Sequence, residues 1–139
     1  MDYIMQEDIK TIAGAIEIDW KSLIDKNVLI TGATGLIGSQ IVMGLLEANS
    51  INNYNINVYA CVRSTDKAKK VFEKYQNDDK LHFVIYDINE SLSINEPIDY
   101  IIHGASITDS RMFVEKPVET IMTIITGTRH MLEFARQKQ

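Results

Sequence analysis

Gly32, Gly35 and Gly38 stand three residues apart, directly behind the apolar run Val28-Leu29-Ile30 and directly ahead of a helical stretch. The placement, more than the spacing, points to a ligand that carries phosphate. The first glycine allows a sharp strand-to-helix turn. The second leaves room for a pyrophosphate against the backbone, and the third lets the helix lie close to the strand. A helix opening at this point offers free N–H groups and the positive end of its dipole to an anion. A turn used only for tight packing is the plainer alternative. The Gly-Lys-Ser/Thr ending of a triphosphate-binding loop is missing. Other reactive groups are sparse. Cys61 reads as a small buried hydrophobe, His82 and His130 as ordinary residues, and no His, Cys and carboxylate cluster has zinc-site spacing.

The elements that must position this turn follow a rhythm. Met5, Ile9, Ile12, Ala13 and Ile16 mark one face of a leading amphipathic helix, and Trp20 anchors the connector behind it. After the strand at Val28-Leu29-Ile30 comes a helix over Ile37–Asn49, with Ile37, Ile41, Val42, Leu45 and Leu46 inward. Residues 51–57 read as an asparagine-rich loop. A second strand covers Val58–Val62. Ser64-Thr65-Asp66 offers N-caps to a helix whose inner face is Ala68, Val71, Phe72 and Tyr75. Third and fourth strands are expected over Leu81–Tyr86 and Ile98–His103, with a polar loop at 89–97 between them. Pro117 suits the first turn of a last helix, with Val118, Ile121, Met122, Ile125 and Leu132 expected inward. Short apolar strands alternating with amphipathic helices imply right-handed βαβ units. The expected fold is therefore α/β, a Rossmann-type doubly wound parallel sheet truncated to about four strands in the order 3-2-1-4. Residues 1–26 form a leading helix and connector, and residues 27–139 the sheet domain.

Composition narrows the partners. The chain has 139 residues and a net charge of −5, with no dense basic block, which argues against nucleic acid. No apolar run approaches the ~20 residues of a membrane span, and the acidic start does not resemble a signal peptide. The one cysteine cannot form an internal disulfide and suits a reducing cytosol, so a cytoplasmic protein is expected. Strand four carries no lysine or proline to discourage edge pairing. That strand or the last helix is expected to support a homo-oligomer.

The pattern Thr-Gly-x-x-Gly-x-x-Gly over Thr31–Gly38 resembles the short-chain dehydrogenase/reductases. Further matches resemble their extended branch, the NAD-dependent epimerase/dehydratase family that acts on nucleotide sugars. These are Tyr86-Asp87-Ile88 after the third strand, His103-Gly104-Ala105-Ser106 after the fourth, and Pro117, Gly127-Thr128 and Leu132-Glu133 in the last helix. The resemblance spans about Asn27 to Arg136. It implies an NAD(P) site built from Gly32, Ala33, Thr34, Gly35, Leu36, Ile37 and Gly38, with Asp87 and Ile88 beside the adenine and His103, Gly104, Ala105 and Ser106 beside the rest of the cofactor. His103 is expected to be a neutral hydrogen-bonding residue that shapes its loop. Thr108-Asp109-Ser110 would border a sugar pocket. Ser106 departs from the alanine usual there, and Ile124 from an asparagine that supports the active-site backbone.

A carboxylate at the end of the second strand would grip the ribose of NAD. Here that strand ends Ala60-Cys61-Val62-Arg63-Ser64, with no carboxylate before Asp66. An arginine fork suits a 2′-phosphate, with Ser64 and Lys67 to assist, so NADP is favoured over NAD. Arg63 lying over the adenine or facing solvent is the alternative. In the family that this chain resembles, a Tyr-x-x-x-Lys pair moves the proton. None of the six tyrosines here has a lysine four residues on. Two classes follow: the cofactor-binding part of a nucleotide-sugar epimerase, dehydratase or reductase, without turnover of its own, or a non-catalytic NAD(P)-binding or sensing module.

Overall fold

The computed structural model describes residues 3–138. Helix α1 (Tyr3–Ala13) and a short 3-10 turn (Trp20–Leu23) lead into strand β1 (Asn27–Thr31). Helix α2 (Leu36–Asn52), strand β2 (Asn57–Val62), helix α3 (Thr65–Val71) and strand β3 (Leu81–Ile85) follow. Strand β4 (Tyr100–His103), the short helix α4 (Ser110–Glu115) and helix α5 (Pro117–Lys138) complete the order. The sheet runs β3-β2-β1-β4, every pair parallel, as the alternation of strands and helices predicts. β1 and β2 fill the middle and are buried almost throughout. One core lies under α1, α2 and α3, and a smaller one lies between the other sheet face and α5.

Two helices settle differently from their periodicity. α2 is buried nearly all round, because α1 packs on its outer side. Gly44 marks their crossing, where a Cβ would come within 2.7 Å of Ile12 Cγ2. Ile41, Val42, Leu45 and Leu46 turn inward as expected, and Met43 and Ala48 join them under α1. Ile37 does not: it sits in the first turn, beyond the sheet, and is 74% exposed. Ile16 is 93% exposed, because α1 ends at Ala13 and Gly14 follows. On α5 the expected inner face is reversed. Val118, Ile121, Met122, Ile125 and Leu132 are exposed, whereas Thr120, Gly127, Met131 and Phe134 are buried. Gly127 is the contact point, since a Cβ there would overlap Ile88 Cγ1. The glycine allows the closest approach, so its face goes inward and the more apolar stripe is left outside.

The connections use their asparagines. Asn49 grips the backbone of Ile56 through both side-chain atoms, at 2.8 and 2.9 Å. Asn53 and Asn55 take left-handed backbone angles that asparagine tolerates better than most residues. Asp99 joins the starts of β1 and β4, accepting from the Asn27 N–H at 2.8 Å and from Lys26 Nζ at 3.1 Å. Trp20 stacks on Tyr54 and donates to the Ala15 carbonyl, the anchoring role expected of it.

One buried carboxylate ties the helices of the larger core. Glu47 Oε2 accepts from Lys74 Nζ and from the Tyr75 hydroxyl, each at 2.8 Å. Burial opposes its ionisation, but these two donors outweigh burial and hold Glu47 below the usual carboxylate range. Burial and Glu47 together push the Tyr75 phenol up to about 12. A carboxylate with a lowered folded pKa stabilises fully above its unfolded value and loses that contribution as the pH falls through the folded one. Glu47→Gln should therefore cost roughly 1–2 kcal/mol at neutral pH, less than a sealed pair because Lys74 is half-exposed. In urea unfolding, the gap between variant and wild type should shrink as the pH drops below about 4. A gap that does not change with pH contradicts this assignment.

Candidate functional site

The carboxyl ends of all four strands open into one cleft of about 510 Å³. It lies where the sheet order reverses, between β1 and β4, and in open α/β sheets that is where ligands bind. Four strand ends supply its walls: Gly32, Thr34 and Gly35 after β1, Cys61, Val62 and Arg63 at β2, Tyr86 and Ile88 after β3, and the 104–109 segment after β4.

The turn after β1 is built from close backbone contacts. Gly32 has φ +69°, and a Cβ there would sit 2.6 Å from the Gly104 carbonyl oxygen. Gly38 lies so near Gly32 that any side chain would overlap its carbonyl. Gly35 is different. Its φ is −78°, and a Cβ would meet the Gly32 oxygen alone, at 3.1 Å. The fold demands glycine at the first and third positions; at Gly35 a side chain would make one tight contact, with the Gly32 oxygen, and would also stand at the cleft. Gly35 is also the N-cap of α2 and provides no side-chain cap. The first-turn N–H groups of α2 therefore lack intrahelical acceptors and remain for an anion.

The opposite wall is tied to β1. Gly104 N–H donates to the Thr31 carbonyl at 3.2 Å, and Ala105 N–H donates to Thr31 Oγ1 at 3.1 Å. His103 Nδ1 shares a hydrogen bond with the same hydroxyl at 2.7 Å, and burial holds its pKa below the ordinary histidine value. Arg63 and Lys67 bring positive charge to the cleft from the β2 end and the first turn of α3. Cys61 borders it as a thiol, pushed up to about 12 by burial, which makes it a poor nucleophile. Tyr86 is the one tyrosine of the lining. Its phenol is raised by burial, with smaller effects from Cys61 and Asp87, the wrong direction for a base at neutral pH.

Of the residues expected from sequence, Gly32, Thr34, Gly35, Arg63, Ile88, Gly104, Ala105 and Ser106 line the cleft. Ala33 is buried beneath the turn, and Gly38 packs α2 on β1. Leu36 and Ile37 send their side chains outward, so only their backbone can serve an anion. Ser64 caps α3 with a long bond, 3.4 Å, from Lys67 N–H. Asp87 is exposed and off the cleft lining; its carboxylate accepts from the Asn89 N–H and amide side chain and closes a turn. Thr108 and Asp109 do reach the cleft, and Asp109 caps α4. Val62, Tyr86, Ile107 and Met112 were not anticipated as lining. Val62 and Tyr86 immediately precede Arg63 and Asp87 at adjacent strand ends, a signal that strand register carries. Met112 lies on α4, a six-residue helix too short for periodicity to reveal. Among the described residues no group of three His, Cys, Asp or Glu could hold a metal, and no helix is long and apolar enough to cross a membrane.

Comparison with known proteins agrees with this geometry. The family model described as NAD dependent epimerase/dehydratase family matches residues 28–139. The chain is 28% identical over 116 residues to a UDP-glucose 4-epimerase of Rickettsia prowazekii, covering 81% of this chain and 33% of the relative. It is also 28% identical over 120 residues to a protein of Methanocaldococcus jannaschii described as an uncharacterized membrane protein, covering 83% and 34%. It thus spans about a third of the length of these relatives. Among solved structures, Pen from Bacillus thuringiensis superposes with a TM-score of 0.68 at 27% identity, covering 84% of this chain and 36% of that one. An aureusimine biosynthetic cluster reductase domain, at 19% identity and a TM-score of 0.58, shares the fold over 99% of this chain and 39% of its own.

The three glycines should separate by their reasons. Gly32→Ala and Gly38→Ala should each destabilise by roughly 2–4 kcal/mol, from backbone strain and overlap. Gly35→Ala should stay within about 1 kcal/mol of wild type. Chemical unfolding measures all three, and equal losses would mean that packing alone fixes the motif.

Proposed function

The chain belongs to the NAD-dependent epimerase/dehydratase family, and on that premise we propose that it is the cofactor-binding part of a nucleotide-sugar epimerase- or dehydratase-type oxidoreductase, without turnover of its own. The observation that carries the reading is Gly35, which lines the cleft and where an added side chain would meet a single backbone atom, the Gly32 oxygen, at 3.1 Å. It faces the cleft at an uncapped helix N-terminus, where a pyrophosphate fits. A nicotinamide, when bound, takes up and returns a hydride.

The chain's own residues then bind and orient. The backbone N–H groups of Leu36 and Ile37 receive the pyrophosphate, beside Gly35, whose own N–H is held by the Gly32 carbonyl. Val62 and Ile88 supply the apolar side for the adenine, with Asp87 holding the turn that carries Ile88. Arg63, with Lys67 near it, meets a 2′-phosphate, which favours NADP over NAD. Gly104, Ala105 and Ser106 form the facing wall, and Thr108 and Asp109 border the place of a sugar. The absence of a Tyr-x-x-x-Lys pair and the raised phenol of Tyr86 support binding without proton transfer.

Titration calorimetry with NADP and NAD tests the reading. Gly35→Val should weaken both cofactors at least tenfold by blocking the pyrophosphate, about 1.4 kcal/mol or more. Arg63→Asp should weaken NADP more than NAD. Binding that survives Gly35→Val unchanged removes the glycine turn from the site. Equal effects of Arg63→Asp on both cofactors remove the preference for NADP.

The outward side of α5 leaves Val118, Ile121, Met122, Ile125 and Leu132 exposed, and large exposed apolar side chains favour association. A second copy of the chain is its proposed occupant. Ile121→Glu with Ile125→Glu should convert a dimer to a monomer in light scattering over a concentration series. A wild-type chain that stays monomeric at high concentration contradicts the proposal.

A further inference from the structure

We propose that the Thr31 hydroxyl and a neutral His103 form a clasp that holds the Gly104–Ser106 wall in place for a dinucleotide, so that binding weakens as His103 takes up a proton. The inference rests on the reading of the cleft given above and adds a control to it.

The hydrogen-bond count at Thr31 carries the argument. Thr31 is fully buried at the end of β1. Its hydroxyl has one hydrogen and two lone pairs. Ala105 N–H occupies one lone pair at 3.1 Å. The hydroxyl hydrogen has one acceptor among the hydrogen bonds of the described residues, His103 Nδ1 at 2.7 Å. Nδ1 must then present its lone pair, which leaves the ring hydrogen on Nε2 and the imidazole neutral. A proton arriving at Nδ1 turns that acceptor into a donor. The Thr31 oxygen could accept it, but its own hydrogen would then point at nothing in a buried site, at a substantial cost. Charging His103 therefore favours parting it from Thr31.

Parting them disturbs both walls of the cleft. The same hydroxyl holds Ala105 N–H, and the Thr31 carbonyl holds Gly104 N–H at 3.2 Å. The Gly104 carbonyl rests against Gly32, so a shift of the 104–106 segment is felt in the glycine turn. The surroundings offer the charged imidazole no compensation. β4 pairs with β1 alone, and Asn27–Thr31 carries no titratable side chain. On α5, the helix against β4, His130 is half-buried, whereas Glu119, Arg129, Glu133 and Arg136 are exposed. Lys138 is spent on the carbonyls of Ile94 and Glu96. Around the cleft stand Arg63, Lys67 and Asp109, and Asp109 is engaged as the cap of α4. Burial is the cause that lowers the His103 pKa, in the direction the clasp requires.

The test measures NAD affinity by calorimetry at about pH 7.5 and about pH 5.5, with circular dichroism confirming that the chain stays folded at both. NAD is the probe because the 2′-phosphate of NADP itself titrates near pH 6. Wild type should bind about two- to fivefold more weakly at the lower pH, because a pKa held below the ordinary histidine value leaves His103 only partly protonated there. His103→Asn puts a non-titrating amide oxygen at the place of Nδ1, and its affinity ratio between the two pH values should fall to near one. Thr31→Ser keeps the hydroxyl and should keep the wild-type ratio, whereas Thr31→Val should weaken binding already at pH 7.5. A wild-type affinity that does not change with pH, or a His103→Asn ratio equal to that of wild type, overturns the clasp. Should Thr31→Val fail to fold, the His103→Asn ratio decides. Failure of wild type to bind either NAD or NADP at pH 7.5 overturns the cofactor reading and takes the clasp with it.

Discussion

The approach of two backbones at the end of β1 is the constraint on which the rest depends. Gly32 turns through φ +69° with the Gly104 carbonyl against its α-carbon, and Gly38 presses on the Gly32 carbonyl from the other side. Three chain segments meet where no side chain fits. Because they meet there, α2 starts directly over the end of β1, with its N-cap Gly35 at the cleft. The β4 loop then forms the facing wall, pinned by Thr31 to the same strand end.

Everything around this crossing serves to hold it. α1 covers the outer side of α2, and Glu47, Lys74 and Tyr75 tie α2 to the segment after α3. Asp99 aligns the starts of β1 and β4, so that their ends arrive together at Thr31 and His103. Gly127 lets α5 lie on Ile88, which places the loop after β3 at the cleft. The larger core is thus built for rigidity behind the glycine turn. The smaller core supports the segments that carry ligand-facing residues.

Much of this was legible in the sequence, for physical reasons. The strands are short apolar runs, and the helices have clear starts at Gly35, Ser64 and Pro117, so the sheet order followed from the βαβ rhythm together with the glycine fingerprint after strand one. Boundaries shifted by a residue or two at Tyr86 and Ile98, as chain ends of strands do. The reversal of α5 was not legible. That helix carries two candidate inner faces, and hydrophobicity favours the stripe at Ile121 and Ile125 over the one that holds Gly127. The deciding fact, a close approach to Ile88, belongs to a partner far away in sequence. The glycine turn was read from its placement between strand and helix, yet the difference between Gly35 and the other two glycines appears only when the surrounding atoms are in place. Asp87 illustrates the same limit. Its carboxylate closes a local turn with Asn89 and lies off the cleft lining, while Ile88 beside it reaches the cleft.

The central claim is that the first turn of α2 and the β2 end receive two neighbouring parts of one dinucleotide, its pyrophosphate and its adenosine ribose. The most direct measurement is the amide nitrogen–proton spectrum of the labelled chain during addition of NADP. The account predicts the largest shifts at Gly35, Leu36 and Ile37 and a second group at Arg63 and Ser64, all saturating with one dissociation constant. Shifts confined to residues outside the cleft, or two groups that saturate at different concentrations, would contradict it.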